Sequence, residues 1–169
     1  MFVVASLLAS PSRPPPAYDS CNMAANAGRF NITTALPDPF GSQLSLVEAV
    51  CCDKRNIQFA EPQGLYADPA IDLFSNLAKG VVTVFYDSAS GIPLFRAPIN
   101  RTLEEFEADT REHGWPSFRA AEVIANHVIV SAGLVTSATG THLGSYLPDD
   151  KGPRWCIDLS CIAGPVSVE

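Results

Sequence analysis

The chain has 169 residues, is 47% hydrophobic, and carries a net charge of −7 with eleven basic residues. A chain of this size and apolar content buries one substantial core, and basic residues dispersed along it exclude a nucleic-acid phosphate backbone as partner. No apolar run approaches the roughly 20 residues that cross a bilayer, so no transmembrane segment is expected.

Residues 1–20 read as a leader. Phe2 to Ala9 is a short apolar run ending in small residues, which fits the end of a secretory signal. No positively charged stretch precedes it, and a disordered apolar start or a truncated gene model fits as well. Ser10 to Asp19 contains four prolines and reads as an extended, exposed linker. Residues 21–78 form an N-terminal extension of helical character. Within it, Leu44, Val47 and Val50 recur at helical spacing over Ser42 to Val50, with Ser42 or Ser45 as N-cap. Pro62 to Asp68 is rich in turn residues. Pro69 to Leu77 puts Ile71, Phe74 and Leu77 on one face of a short helix that Gly80 ends.

Residues 79–169 change character. Val81 to Tyr86 is rich in strand formers, Ser88 to Gly91 marks a turn, and Pro93 to Phe95 resumes an extended path. The strongest helix signal starts at Thr102: its hydroxyl accepts from the amide three residues on and Glu105 reaches back, a capping box, and the helix stops before Gly114. Glu122 to Val130 is expected as a strand with Val123, Val128 and Val130 in the core, followed by strands at Leu134 to Ser137 and Trp155 to Leu159. His142 stands beside a Leu-Gly turn. Short strands with turns about every eight to twelve residues imply a mainly β, α+β fold of antiparallel sheets, its helices confined mainly to the N-terminal part.

Five cysteines, Cys21, Cys51, Cys52, Cys156 and Cys161, leave at least one thiol without a partner in the chain. No two have Cys-x-x-Cys spacing, so no metal site is expected. The vicinal pair reads either as a redox partner or as a small buried hydrophobe beside a bridged neighbour. Glycan acceptor patterns at Asn31-Ile32-Thr33 and Asn100-Arg101-Thr102 fit a secreted or organellar protein.

Three clusters then occur in order: Gly114-Trp115-Pro116-Ser117-Phe118, His142-Leu143-Gly144, and Arg154-Trp155-Cys156-Ile157-Asp158. Together they resemble the methionine-R-sulfoxide reductase family, whose pattern runs Gly-Trp-Pro-Ser-Phe, His-Leu-Gly-His, Arg-Tyr-Cys-Ile-Asn. The resemblance covers residues 79 to 164. It implies a partly open β barrel of small antiparallel sheets and a thiol-dependent reduction of methionine-R-sulfoxide, free or in a peptide or protein, through a cysteine sulfenic acid. Cys156 matches the nucleophile, His142 the first motif histidine of the proton network, and Trp115 the indole that receives the substrate methyl group. Arg154 shares the face of Cys156 by strand alternation and is expected to lower the thiol pKa. Its other reading is a surface arginine paired with Asp149 or Asp150. Likewise, Trp115 alone reads as a core aromatic and His142 alone as structural. Phe118 and Pro116 are expected to shape the pocket wall. No cofactor is implied, only an external thiol reductant such as thioredoxin or a small thiol.

The chain departs from the family at informative positions. Ser145 replaces the second histidine and sits at the substrate, where a serine relays a proton but is no cation. Asp158 replaces the asparagine; ionised, it raises the Cys156 pKa, and protonated, it is itself an acid. Asp87, Ser90, Thr136 and Thr139 stand where zinc-binding members carry two Cys-x-x-Cys pairs. His113 stands where some members place a resolving cysteine, which leaves Cys161, Cys51, Cys52 or an external thiol for that role. In an extended strand Cys156 and Cys161 lie about 16 Å apart, so a direct bridge needs a bend after Asp158. These losses motivate a second function, a catalytically degenerate reductase-like domain acting as a binding or accessory subunit of a larger complex. A third, thiol-disulfide exchange through Cys51, Cys52 and Cys161, suits vicinal cysteines poorly.

Overall fold

The computed structural model describes residues 12–13, 50–52, 60–164 and 166–167. The expected leader run Phe2 to Ala9, the acceptor Asn31 and most of the helix expected over Ser42 to Val50 lie outside them. Val50 and Cys51 are helical. Among the described residues, no helix is long and apolar enough to cross a membrane.

The fold is mainly β and its strand pairings are antiparallel. A short pairing joins β1 (Ser12–Arg13) to β10 (Val166–Ser167). β2 (Thr83–Asp87) turns through Ser88 to Gly91 into β3 (Pro93–Ala97), and β9 (Ile162–Ala163) pairs with the other edge of β2, giving the order β3-β2-β9. The larger sheet has the order β4-β8-β7-β6-β5, built from β4 (Ser117–Phe118), β5 (Val128–Ser131), β6 (Leu134–Ser137), β7 (His142–Tyr146) and β8 (Trp155–Ile157). Between the sheets in sequence stands α1 (Leu103–His113). It has the capping box that its sequence specifies, Glu105 N donating to Thr102 Oγ1 and Thr102 N to Glu105 Oε2. Gly114 ends it with φ 91°, a left-handed conformation that glycine adopts without a steric penalty.

One apolar core joins the elements. Phe118 lies fully buried and stacked on Phe95 with ring centroids 4.2 Å apart, and Phe85 and Phe106 meet it edge-on or tilted. Tyr66, Ile71, Leu73 and Phe74, from the stretch expected as an N-terminal extension, join the same core. The face expected there is real: Ile71 and Phe74 are buried. The regular helix is not, because Asp72 takes a positive φ and only Phe74–Asn76 closes a 3-10 turn. The strand expected from Glu122 to Val130 is shorter as well. Asn126 turns the chain with φ 69°, pairing starts at Val128, and Val130 is exposed rather than in the core. Glu122 is fully buried instead, as the partner of Arg101, whose Nη2 donates to it at 2.6 Å.

A buried ionic network braces α1 against the large sheet. Arg101 and Arg119 both donate to Asp109, each at 2.8 Å, and Arg119 also clasps Asp149 at 2.8 and 3.0 Å. His113 Nε2 lies 3.1 Å from the same Asp149. Arginine hydrogen bonds hold the Asp149 carboxyl well below its ordinary range, and those of Arg119 and Arg101 keep Asp109 low against the opposing effect of burial.

Candidate functional site

The site grows from the register of β8. Cys156 pairs with Ser117 on one side and Ser145 on the other, so Ser145 and Cys156 stand side by side on one face of the sheet. The strands approach closely there because position 144 is glycine. A Cβ on Gly144, whose φ is 154°, would lie 2.1 Å from the Cys156 carbonyl oxygen. His142, Leu143 and Gly144 are thus not a turn but part of β7, which the pairing with β6 and β8 holds extended. The strand expected from Trp155 to Leu159 stops at Ile157: the chain leaves the sheet at Asp158 and tightens into a 3-10 turn over Leu159–Cys161.

These elements open a cleft of about 110 Å3. Trp115, Cys156, Asp158 and Ser145 line it, with Gly144, Leu147 and Ala60. Trp115 is fixed by its indole Nε1, which donates to the Glu61 carbonyl oxygen at 3.1 Å. Asp158 Oδ1 accepts from the Glu61 amide at 3.0 Å, and Oδ2 lies 3.3 Å from His142 Nε2. His142 therefore reaches the cleft through Asp158, which stands between them.

Arg154 is buried rather than at the surface. Its Nη1 donates to Ser117 Oγ at 3.3 Å and its Nε comes within 3.9 Å of Asp149 Oδ2. It faces Cys156 as strand alternation dictates, but its effect on the thiol is outweighed. Burial pushes the Cys156 thiol above its ordinary value; the hydrogen bond and charge of Arg154 oppose this, and the carboxyls of Asp158 and Glu61 add to the rise. Burial raises Asp158 too, against the lowering pull of His142.

Phe118 takes no part in the cleft, since its ring is spent in the core. Pro116 contributes its carbonyl oxygen to the Ile157 amide at 2.9 Å. The expected resolving cysteines are engaged elsewhere: Cys51 and Cys161 are bonded to each other across 110 residues, and Cys52 is also disulfide-bonded. Cys156 is the free thiol among the described residues. Cys51 is buried in the core and Cys52, half-buried, packs against the same core.

At Asp87, Ser90 and Thr139, three of the positions that the resemblance singles out, hydrogen bonds link two turns. Asp87 Oδ2 accepts from Thr139 Oγ1 at 3.0 Å, and Asp87 Oδ1 from the amides of Ala89 and Ser90 at 2.8 and 3.2 Å. Elsewhere, Asp109, His113 and Asp149 bring ligand atoms within 4.8 Å of one another, but the cation between the two carboxylates is the Arg119 guanidinium.

Glu61, which holds both Trp115 and Asp158, is marked by no motif. A lone glutamate before a proline in a turn-rich stretch reads as solvated, and its partners lie 54 to 99 residues away in sequence. No protein-family model matches the chain.

Proposed function

We propose that the protein reduces methionine-R-sulfoxide, with Cys156 as nucleophile and the cleft as substrate site. The observation that carries this reading is the convergence of Trp115 with Cys156 and Asp158, which stand far from it in sequence, on one cleft of about 110 Å3. That volume suits a thioether-sized group and is well below the roughly 300 Å3 at which drug-sized ligand pockets begin. The indole offers an apolar face for the methyl group. The hydrogen bond between Asp87 and Thr139 also supports the reading, since the resemblance sets both residues at positions where zinc-binding members carry cysteines. The same reading takes the two sheets as the sides of a partly open barrel.

Cys156 Sγ gives an electron pair to the sulfoxide sulfur while Asp158 protonates the oxygen. The substrate S–O bond breaks and an S–O bond forms at Cys156, so the substrate sulfur gains two electrons and Cys156 loses two. The thiol proton that Cys156 gives up restores Asp158, and no net proton is consumed. The products are a thioether and a sulfenic acid. An external thiol condenses with the sulfenic acid, releasing water, and a second thiol frees Cys156 as a disulfide of the reductant leaves.

A second reading, a degenerate reductase-like domain that binds partners without turnover, is favoured by the raised thiol. One assay separates them. The protein, dithiothreitol and a peptide carrying either epimer of methionine sulfoxide are incubated and the products resolved by chiral chromatography. Consumption of the R epimer alone is expected, and no consumption of either epimer leaves the binding module. Asp158→Asn gives a further expectation. The thiol becomes more acidic as a neighbouring negative charge is lost, yet turnover at neutral pH falls about 100-fold because the acid is gone. Faster turnover in that variant would exclude Asp158 as the proton donor.

A further inference from the structure

Asn100-Arg101-Thr102, the glycan acceptor pattern that lies within the described residues, forms the turn between β3 and α1. Arg101 roots that turn in the interior, where its guanidinium donates to Asp109 and Glu122. Asn100 and Thr102, the two residues whose chemistry the pattern needs, are exposed on either side of it. Asn100 takes φ 58°, a left-handed conformation that asparagine tolerates better than most residues, and Thr102 caps α1. The turn and the cap account for the residue types. Two features outside the turn say what the exposed pair is used for.

The first is the state of the cysteines. Cys51 is bonded to Cys161, and Cys52 is disulfide-bonded as well. Structural disulfides form in the secretory compartments and outside the cell and are rare in the cytosol. A surface turn of a secreted protein is also where an asparagine in this pattern acquires its glycan.

The second is a groove of about 320 Å3 beside the turn. Pro98, Arg101 and Thr102, which bracket Asn100 in the chain, line it together with Val81 and Val82. The register of β2 with β3 sets Thr83 opposite Ala97, which brings Val82 next to Pro98, two residues before Asn100. Val81 and Val82 are 41% and 48% exposed, so the groove leaves adjacent apolar side chains open to water. Lys79 and Glu104, an exposed ion pair, stand in the same lining. Apolar and polar groups side by side suit a sugar ring, whose C–H face covers apolar surface while its edge hydroxyls find hydrogen-bond partners. Attachment at Asn100 holds the ring there at high effective concentration, so a weak contact is enough.

We propose that Asn100 carries an N-linked glycan whose first sugar covers Val81 and Val82. In the transfer, Asn100 Nδ2 bonds to the anomeric carbon of an oligosaccharide carried on a lipid pyrophosphate. The bond from that carbon to the pyrophosphate oxygen breaks, the lipid pyrophosphate leaves with the electron pair, and the amide gives up one proton. Nothing is oxidised or reduced. None of the residues that line this groove lines the cleft of Cys156, so the glycan and the reductase reading are independent.

To test this, the protein is immunopurified from the cells that make it, treated with a peptide N-glycosidase in heavy-oxygen water, and mapped by mass spectrometry. Release of a glycan is expected to convert Asn100 to aspartate bearing one heavy oxygen. Asn100 recovered as asparagine overturns the proposal, and so does incorporation at Asn31 with none at Asn100. The seat of the sugar is read separately, from the fluorescence of anilinonaphthalene sulfonate with the folded protein before and after enzymatic release. Uncovering Val81 and Val82 is expected to raise the fluorescence about 2-fold, and Val82→Ser to cancel the rise. A thermal melt of each sample checks that the chain is folded. A glycan on Asn100 whose release leaves the fluorescence unchanged overturns the assignment of the groove to its first sugar.

Discussion

Cys156→Ser is expected to bring R-sulfoxide turnover down to the rate of dithiothreitol alone, a loss of about 1,000-fold or more. A serine hydroxyl at neutral pH supplies neither the ionisable nucleophile nor the two electrons that the sulfoxide sulfur must receive. A factor of 1,000 corresponds to about 4 kcal/mol of transition-state stabilisation. The fold is expected to survive, because Cys156 is half-buried and its sulfur forms no disulfide. Chiral chromatography of the product and a thermal melt of the same sample check the two halves of this expectation. A variant that still consumes the R epimer would remove Cys156 from the mechanism altogether. The raised thiol also has a kinetic consequence. On the proposed reaction, turnover is expected to climb with pH as thiolate accumulates and to fall once Asp158 is ionised, which gives a narrow profile.

Arg119→Met is expected to lower unfolding stability by about 3 kcal/mol at pH 7. The guanidinium donates to both oxygens of Asp109 and both of Asp149, and its side chain is 16% exposed. Its removal leaves Asp109 with Arg101 alone and strips Asp149 of its main partner. The cost exceeds that of a surface ion pair because the stranded Asp109, 5% exposed, cannot turn to water. Both aspartates are held below their ordinary value of 3.8, so the stability they contribute is present above that value and is lost as pH falls below it. The gap between the two proteins in urea midpoint is accordingly expected to shrink between pH 5 and pH 3. A gap that is constant over that range would mean that Arg119 acts through its apolar stem rather than its charge. The same variant loosens Asp149 near Arg154, so the alkylation rate of Cys156 reports whether the strain reaches the cleft.

Much of the local structure is legible in the sequence because it is determined locally. Thr102, Glu105 and Gly114 specify both ends of α1, and the β-branched run at Leu134 to Ser137 gives β6 with its observed bounds. Trp115 and Cys156 are expected together from the order of their motifs, and both line one cleft. What could not be read depends on partners far along the chain. Glu122, Asp109 and Arg101 look like surface residues and are buried, because their charges cancel one another in space and not in sequence. Phe118 adjoins Trp115 in the chain, but the alternation of β4 sends it to the opposite side, into the core. His142 to Gly144 resembles a turn because the glycine is needed for strand contact, a demand that only the neighbour β8 makes visible.

The sulfur chemistry of the molecule is divided between two settings. The Cys51–Cys161 bridge is sealed, with both residues under 5% exposed, while Cys156 borders the cleft. A small dithiol arriving from solvent encounters Cys156 long before it encounters the crosslink. On the proposed reaction, a reductant that restores Cys156 is therefore expected to leave the fastening of the chain intact.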